Sequence, residues 1–334
     1  MNAGTLGRTP VAVTALGLGT ASLGNLYREM SDGDAVSTVD AAWEAGVRYF
    51  DTAPHYGLGL AERRLGAALG SRPRDGYTLS TKVGRVLVDD PEGAGRRDPD
   101  GFVVPATLRR VWDFSGDGVR RCLDDSMARM GLDRVDIVLI HDPEESGDPR
   151  SALDHAYPAL DELRAQGVVG AIGIGSKQRQ ILTRFVTETD IDTVMLAGRY
   201  TLLEQPALDD LLPACERRGV PVLNAGVFNS GLLAVDRPDA TCPYEYGTVP
   251  AALLERAQRI ATVCQRYGVS LPQAALAFAA AHPAVAGVVV GAARPSELTR
   301  NVELLARPLP PADLWRELVA EELLRPDAPV PVDD

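Results

Sequence analysis

The 334-residue sequence predicts an α/β protein, a single-domain (β/α)8 barrel with long loops on its C-terminal face. Eight short runs with strand character recur along the chain, and segments with helical spacing separate them. Most of these runs lack polar alternation, as strands buried on both faces of a parallel sheet do. Eight such units without a linker favour a closed barrel over an open, doubly wound sheet. The predicted strands are Ala15–Thr20, Val47–Thr52, Tyr77–Lys82, Val135–His141, Val169–Gly175, Thr193–Gly198, Val220–Ala225 and Val285–Gly291.

Helices are predicted where apolar residues repeat every three or four positions. Asp34–Ala45, for example, brings Val39, Ala42 and Trp43 onto one stripe, and Gly46 follows at a position that suits a helix C-cap. Right-handed βαβ units are the expected connections. The other predicted helices are Ala61–Leu69, Val119–Met130, Ala152–Gln166, Leu208–Arg217 and Leu253–Tyr267.

Two long segments interrupt this alternation. Residues 85–116 and 229–250 follow the third and seventh predicted strands, and both are expected at the C-terminal face, where barrel active sites lie. Loops of such length tend to be functional or mobile. The Pro- and Asp-rich end of the chain suggests a flexible tail over 326–334, which leaves residues 1–325 for the barrel.

Composition narrows the possible partners. The net charge of −12 disfavours binding to nucleic acid or to an anionic membrane. The sequence has no apolar run of transmembrane length, no signal-peptide pattern and no Cys-x-x-Cys pair. The four histidines lack the usual spacing of metal ligands, which makes a metal-dependent hydrolase a weak alternative. A cytoplasmic enzyme acting on a small molecule, with no metal, is the expectation, and no particular oligomeric state is indicated.

Polar residues mark the ends of three consecutive strands. Asp51 ends the second strand, Lys82 the third and His141 the fourth, while Tyr56 follows Asp51 by five residues. Each alone could be structural, and Asp51 could simply brace its turn. Because the C-terminal ends of barrel strands converge, the four together predict one catalytic group at the barrel mouth. The glycines from Gly17 to Gly24 do not match the Gly-x-Gly-x-x-Gly dinucleotide fingerprint.

These motifs carry a resemblance over nearly the whole chain. YFDTAPHYG, AERRLG, STKVG, GLDRVDIVLIHDP and VVVGAARPSELTRNVELL resemble the aldo-keto reductase family. AGRYTLLEQ, VWDFSGDGV and GVFNSGLL are most similar to members that oxidise the anomeric carbon of L-fucose and related aldoses, or that oxidise pyridoxal. The resemblance implies an NAD(P)-dependent oxidoreductase, and the open alternatives are a general aldehyde or ketone reductase and a non-catalytic regulatory barrel.

The resemblance also implies a role for each member of the predicted catalytic group. Tyr56 would give or take the proton, and a nearby Lys82 would lower its pKa from about 10. Asp51 would keep Lys82 charged and in place, and His141 would orient the reacting oxygen. A placed acid or base contributes roughly 10²–10⁴-fold to rate.

Cofactor residues are implied in the same way. Family members hold the cofactor with the ends of the first and fifth strands, the loop after the seventh and the helix after the eighth. At the fifth strand this chain departs from the usual Ser-Asn pair and reads Gly175-Ser176-Lys177. Glu297 stands where NADP-preferring members carry arginine, which favours NAD, although Arg294 and Arg300 are near it. The implied contacts are Thr20, Ser176, Phe228, Asn229, Ser230, Gly231, Leu233, Gly291, Arg294, Glu297 and Asn301.

The predicted substrate contacts are His55, Trp112 and Arg199. Aromatic and planar hydrogen-bonding groups suit a sugar ring, and Trp112 lies in the long third loop. Anchoring of that loop is an equally simple role for Trp112. Pyridoxal, which is flat and anionic at its phenol, would favour stacking and a basic residue such as Arg199. Tyr27 and Asp113 are further polar or aromatic rim positions.

Overall fold

The computed structural model describes residues 3–245 and 247–331. Eight parallel strands form a closed barrel, which confirms the predicted fold. Strands that are neighbours around the closed barrel are also consecutive barrel strands along the chain, and the last pairs with the first. The barrel strands are β3 (Leu16–Gly19), β4 (Tyr49–Asp51), β5 (Thr78–Val83), β8 (Ile137–His141), β9 (Ala171–Ser176), β10 (Thr193–Ala197), β11 (Val222–Ala225) and β14 (Val285–Gly291).

A short antiparallel hairpin precedes the barrel. Its strands are β1 (Ala3–Thr5) and β2 (Ala12–Thr14). Leu6 and Val13 are buried in the same apolar cluster as Tyr49, Leu139 and Leu223, which lie on barrel strands. The hairpin therefore closes the N-terminal end of the barrel, and the opposite end stays available for a site.

Helices surround the barrel and bury a larger apolar layer between themselves and the strands. Serine caps begin several of them: Ser31, Ser115 and Ser270 each accept a hydrogen bond from the backbone N–H three residues later. The helices are α1 (Asp32–Glu44), α2 (Leu60–Leu69), α3 (Gly116–Met130), α4 (Pro149–Ser151), α5 (Tyr157–Ala165), α6 (Arg179–Glu188), α7 (Leu211–Arg218), α8 (Ala251–Arg266), α9 (Leu271–Ala281), α10 (Pro295–Leu305) and α11 (Ala312–Ala320).

The main differences from the sequence prediction concern helices. The predicted helix Ala152–Gln166 is interrupted, because a π-helical turn at Ala152–Ala156 precedes α5. α6, α9 and α11 were not predicted. α9 reads LPQAALAFAAA and is almost wholly apolar and buried, so it shows no amphipathic stripe to recognise.

The two long insertions contain structure of their own. In residues 85–116, β6 (Arg85–Asp89) pairs antiparallel with β7 (Leu108–Trp112), so this segment is an ordered hairpin and not the loop that its composition suggested. In residues 229–250, β12 (Pro243–Tyr244) pairs with β13 (Gly247–Thr248). Both insertions follow barrel strands and lie at the C-terminal face, as predicted.

Only part of the predicted tail lies within the described residues, which end at residue 331. Ala328 is buried, and the Tyr200 hydroxyl donates to the Pro329 carbonyl oxygen at 3.5 Å. Residues 332–334 of the predicted tail 326–334 lie outside the described residues. The division at residue 325 stays a prediction. Across the described ranges, no helix is both long and apolar enough to cross a membrane.

Candidate active site

A buried ion pair joins the ends of β4 and β5. Lys82 Nζ lies 2.7 Å from Asp51 Oδ2 and 2.9 Å from Oδ1, and both side chains are at most 3% exposed. Lys82 Nζ also donates to the Thr52 carbonyl oxygen at 3.0 Å, and the Ser80 hydroxyl donates to Asp51 Oδ1 at 2.7 Å. These hydrogen bonds satisfy the buried charges and fix the ammonium group at the barrel mouth.

Tyr56 lies in the loop between β4 and α2, and its hydroxyl accepts a hydrogen bond from Lys82 Nζ at 3.1 Å. Two glycines make the position of this loop possible. A Cβ on Gly57, which has φ +61°, would lie 2.2 Å from the Gly24 carbonyl oxygen. The loops after β3 and β4 therefore meet backbone to backbone, and Tyr56 is held over the Lys82–Asp51 pair.

His141 ends β8 and completes the group. Its ring centroid lies 5.9 Å from that of Tyr56, with the rings perpendicular. His141 is 6% exposed, and its Nδ1 has no hydrogen-bond partner among the described residues. The structure thus brings all four residues predicted for catalysis to one place.

The electrostatics correct one expectation. Burial raises the pKa of Tyr56 well above its ordinary value, and the carboxylates of Asp51 and Asp142 raise it further, while Arg85 lowers it. The sequence predicted that Lys82 would lower this pKa. In the structure the charge of Lys82 is balanced by Asp51 at hydrogen-bond distance, so the desolvation of the phenol is the larger effect. Burial therefore favours the neutral phenol, the form that can donate a proton, and Tyr56 can accept a proton only after it has released its own.

His55, a predicted substrate contact, lies beside the catalytic group. Its ring is 5.5 Å from His141 and 5.3 Å from Phe102, both edge to face. Burial lowers the pKa of His55 to about 2, and Arg85 and Arg110 lower it as well. A neutral imidazole here can donate or accept one hydrogen bond at the mouth of the barrel.

The other two predicted substrate contacts, Trp112 and Arg199, both pair with side chains of the protein itself. Trp112 ends β7, and Arg85 stacks on its ring at 4.4 Å, which favours the loop-anchoring role that the sequence left open. Arg199 forms an ion pair with Glu245, in the loop after β11, and does not stand free at the rim. The rim position Asp113 accepts hydrogen bonds from the backbone N–H and hydroxyl of Ser115 at the start of α3.

The predicted cofactor contacts surround the rim from β3 to α10. Thr20 is fully buried directly after β3, and its hydroxyl has no partner among the described residues. Asn229 Oδ1 is likewise buried and unpaired within them. Phe228, Asn229, Ser230 and Gly231 form a tight turn after β11, with positive φ at the last three. Unpaired polar atoms and a tight turn at these places fit a bound polar cofactor.

Two predicted cofactor contacts, Leu233 and Ser176, have partners within the protein, and a third, Asn301, is buried. Leu233 is fully buried in the core, and its N–H donates to the Phe228 carbonyl oxygen. This residue therefore anchors the end of the turn to the core. The Ser176 hydroxyl donates to Glu144 and accepts from the Gln178 N–H. Asn301 is 8% exposed, on the inner side of α10. Sequence position alone did not reveal these partners.

The start of α10 lies between the loops that follow β3 and β11, because β14 lies between those two strands in the barrel. Gly291 ends β14, and a Cβ there would lie 3.8 Å from the Ser22 hydroxyl of the first loop. Arg294 is the N-cap residue, and Glu297 Oε2 accepts a hydrogen bond from the Ala293 N–H at 2.8 Å. Glu297 also lies 3.6 Å from Arg28. A helix N-terminus next to the end of β14, the last barrel strand, suits a phosphate group.

The chain belongs to the aldo/keto reductase family. The model of the Aldo/keto reductase family matches residues 15–317. A D-threo-aldose 1-dehydrogenase from a Pseudomonas species is 50% identical over 94% of this chain and 95% of its own length. A pyridoxal 4-dehydrogenase from Microbacterium luteolum is 38% identical over 96% of this chain and 97% of its own. Among solved structures, an aldo-keto reductase from Bacillus halodurans in its holo form covers 97% of both chains with a TM-score of 0.76 at 25% identity.

Family membership makes this protein an oxidoreductase enzyme of a family that uses nicotinamide cofactors. Two residues beside the catalytic group were not predicted: Arg85 and Asp142. Asp142 directly follows His141 in the motif VLIHDP, and Arg85 follows Lys82 by three residues. Their proximity in sequence to predicted catalytic residues was a signal that could have indicated them.

Proposed function

We propose that the protein oxidises the anomeric carbon of a cyclic aldose to a lactone with NAD. The observation that carries the proposal is the contact of Lys82 with both Asp51 and Tyr56, next to His141. This arrangement supplies one proton-transfer group and one neutral hydrogen-bonding ring, which hydride transfer from an alcohol carbon requires. The 50% identity to a D-threo-aldose 1-dehydrogenase supports an aldose as the substrate.

Each residue then has a stated task. The reaction removes a hydride from C1 and the proton from its hydroxyl, so that C1=O forms; the Tyr56 oxygen takes this proton, which requires that the phenol first release its own proton to water. When bound, an oxidised nicotinamide would supply the hydride acceptor and a positive charge that favours loss of the phenol proton. Lys82 Nζ donates a hydrogen bond to the Tyr56 oxygen and stabilises it without its proton. Asp51 holds Lys82 in place, and His141 orients the substrate hydroxyl.

The preference for NAD is supported by Glu297. Its carboxylate lies in the first turn of α10, where a 2′-phosphate would be repelled but ribose hydroxyls could donate hydrogen bonds. Thr20 and the turn from Phe228 to Gly231 would hold the nicotinamide and pyrophosphate ends. Arg300 is directed elsewhere, because its guanidinium donates to the Ala234 carbonyl oxygen at 3.5 Å and lies 3.8 Å from Asp236.

Pyridoxal is the second candidate, since a pyridoxal 4-dehydrogenase is 38% identical. The structure gives it less support. Arg199, the basic residue expected to meet the pyridoxal phenolate, is already paired with Glu245. A non-catalytic regulatory role is also less favoured, because a buried ion pair joined to a phenol has no evident use in a purely structural barrel.

A substrate panel tests the proposal. L-fucose, D-arabinose, L-galactose, other aldoses and pyridoxal are assayed with NAD and NADP, and the product is identified as lactone or acid. We expect aldoses to have the highest kcat/KM, with NAD favoured. The Tyr56→Phe protein, purified in parallel, measures the background from contaminating dehydrogenases. Turnover of pyridoxal or simple aldehydes without turnover of any aldose would refute the proposed substrate class.

A further inference from the structure

Arg85 is a buried cation that the catalytic roles above do not use. Its side chain is 7% exposed, and it lies just beyond β5, at the start of the inserted hairpin. Gly84 makes this position possible, because it has φ +105° and a Cβ there would lie 2.5 Å from the Phe114 ring. A charge removed from water requires partners that compensate it.

Those partners converge on the catalytic group. One terminal nitrogen of Arg85 donates to Asp142 Oδ2 at 2.9 Å and to Glu145 Oε2 at 2.8 Å. The other lies 3.4 Å from His55 Nδ1, and the guanidinium plane stacks on Trp112. Stacking on one side and hydrogen bonds on the other fix the orientation of the guanidinium group.

Asp142 connects Arg85 to His141. The carboxylate oxygen that accepts from Arg85 lies 3.3 Å from His141 Nε2. The backbone of Asp142 is held in the left-handed region at φ +41°, and its N–H donates to the Gly175 carbonyl oxygen at 2.9 Å. A non-glycine residue in this conformation is uncommon and is kept there by its surroundings. The side chain is therefore presented to His141 by the fold.

This contact selects one tautomer of His141. A neutral imidazole carries one N–H, and Asp142 can accept a hydrogen bond but has none to donate once it is ionised, which it is above its pKa of about 7. Nε2 lies 3.3 Å from the Asp142 carboxylate, whose charge stabilises a proton there, whereas a proton on Nδ1 would be buried without an acceptor in the described part of the chain. At 3.3 Å the contact is longer than an ordinary charge-assisted hydrogen bond, so the Nε2–H remains available to a substrate oxygen.

We propose that Arg85 and Asp142 are positioning residues that hold His141 as its Nε2–H tautomer, ready to donate to the reacting oxygen. The catalytic use of that N–H rests on the proposed function, whereas the tautomer itself does not. The role of Arg85 is to keep the Asp142 carboxylate charged and aligned. Glu145, the second acceptor of Arg85, is half exposed and belongs to the support of Arg85.

The surrounding charges give the expected pH dependence. The pKa of Asp142 is raised to about 7, chiefly by burial; Arg85 opposes this rise, Glu145 and Glu144 add to it, and Lys177 lowers it slightly. Without Arg85 the carboxylate would therefore ionise only at higher pH, and activity that needs it would be lost more at pH 7 than at pH 9.

His141 itself stays neutral across this range. Burial lowers its pKa well below the ordinary value, and Arg85, Lys82, His55 and Arg110 lower it further.

Nitrogen NMR of histidine-labelled enzyme tests the tautomer directly, because the chain has four histidines and a His141→Gln variant assigns the signal. At pH 9, where Asp142 is ionised, we expect the Nε2–H form in the wild type. Asp142→Asn should add the Nδ1–H form and reduce kcat by roughly 10–100-fold, as loss of a residue supporting a functional histidine does. The Kd for cofactor should not change.

Arg85→Gln should reduce kcat more at pH 7 than at pH 9, and Arg85→Lys should restore part of the loss. Glu188→Gln is the control, since it removes a half-exposed carboxylate that pairs with Arg184 on α6 and contacts none of these residues, and its kcat should stay within twofold or so of wild type. An Nδ1–H tautomer in the wild type, or an unchanged tautomer in both Asp142→Asn and Arg85→Gln, would overturn the proposal. If the tautomers behave as expected but no aldose is oxidised, the proposed function fails and the tautomer assignment stands.

Discussion

Two ion pairs at the C-terminal face of the barrel differ in almost every physical respect. Lys82 and Asp51 lie 2.7 Å apart, and their side chains are 2% and 3% exposed. Arg28 and Glu297 lie 3.6 Å apart, and their side chains are 49% and 47% exposed. The first pair joins two barrel strands, whereas the second joins the loop after β3 to the start of α10.

This difference suits the two pairs to different tasks, proton transfer for the first and the proposed choice of cofactor for the second. A buried pair with a full set of hydrogen bonds has one geometry and loses much if either partner is removed. An exposed pair contributes at most about 1 kcal/mol, and salt weakens it. The proton-transfer group is thus fixed by the barrel strands, while the region proposed to distinguish NAD from NADP is made of loop and helix ends that can change at little cost to the fold.

Among changes at the buried catalytic group, loss of the Tyr56 hydroxyl should reduce kcat most. Tyr56→Phe should reduce kcat by roughly 10²–10⁴-fold, the usual contribution of a placed acid or base. Its Kd for cofactor should stay near the wild-type value, because the phenol acts on the substrate oxygen. Steady-state kinetics and fluorescence titration measure the two quantities. A folded variant with wild-type turnover would exclude Tyr56 as the proton-transfer group.

The buried pair should also dominate stability. Lys82→Met leaves the Asp51 carboxylate buried with the Ser80 hydroxyl as its remaining side-chain donor, and we expect the free energy of unfolding to fall by about 3–5 kcal/mol. Urea unfolding measures this. The double variant Lys82→Met, Asp51→Asn has no uncompensated charge and should recover part of the loss. Arg28→Met, which breaks the exposed pair, should cost less than about 1 kcal/mol. Equal losses for Lys82→Met and Arg28→Met would contradict the comparison.

The same contrast explains what the sequence could and could not predict. Asp51, Lys82 and His141 were predictable because strand ends follow from apolar runs, and a closed barrel brings consecutive strand ends together. The raised pKa of Tyr56 was not, since it depends on burial by loops whose path the sequence does not state. Leu233 was assigned to the cofactor by position in its loop, yet its side chain points into the core.

The partners of the polar side chains could not be predicted from the sequence either. Nothing in the order of residues indicates that Arg199 pairs with Glu245, or that Arg85 stacks on Trp112. These contacts join segments far apart in the chain, and periodicity within one segment carries no information about them. The partners of the side chains at the rim were therefore the least predictable part of the site, whereas the catalytic group was the most.

The smallest expected effect is on the cofactor preference, when the exposed Arg28–Glu297 pair is changed. Glu297→Gln removes the charge but keeps an oxygen that can accept from the Ala293 N–H, so the start of α10 should be unchanged. We expect the ratio of kcat/KM for NADP to that for NAD to rise by up to about fivefold, the equivalent of 1 kcal/mol for an exposed charge. Assays at two salt concentrations should show that the increase shrinks at high salt.

The control for this change is Glu303→Gln, which removes the same charge from an exposed position two turns further along α10. If the net charge of −12 alone disfavoured NADP, both variants would raise the ratio equally. A local effect requires that Glu297→Gln raises it and Glu303→Gln does not, because the phosphate of a bound cofactor would meet the first turn of the helix and not its end. An unchanged ratio in Glu297→Gln at low salt would show that the carboxylate does not decide the choice of cofactor, and a wild-type preference for NADP would reverse the assignment.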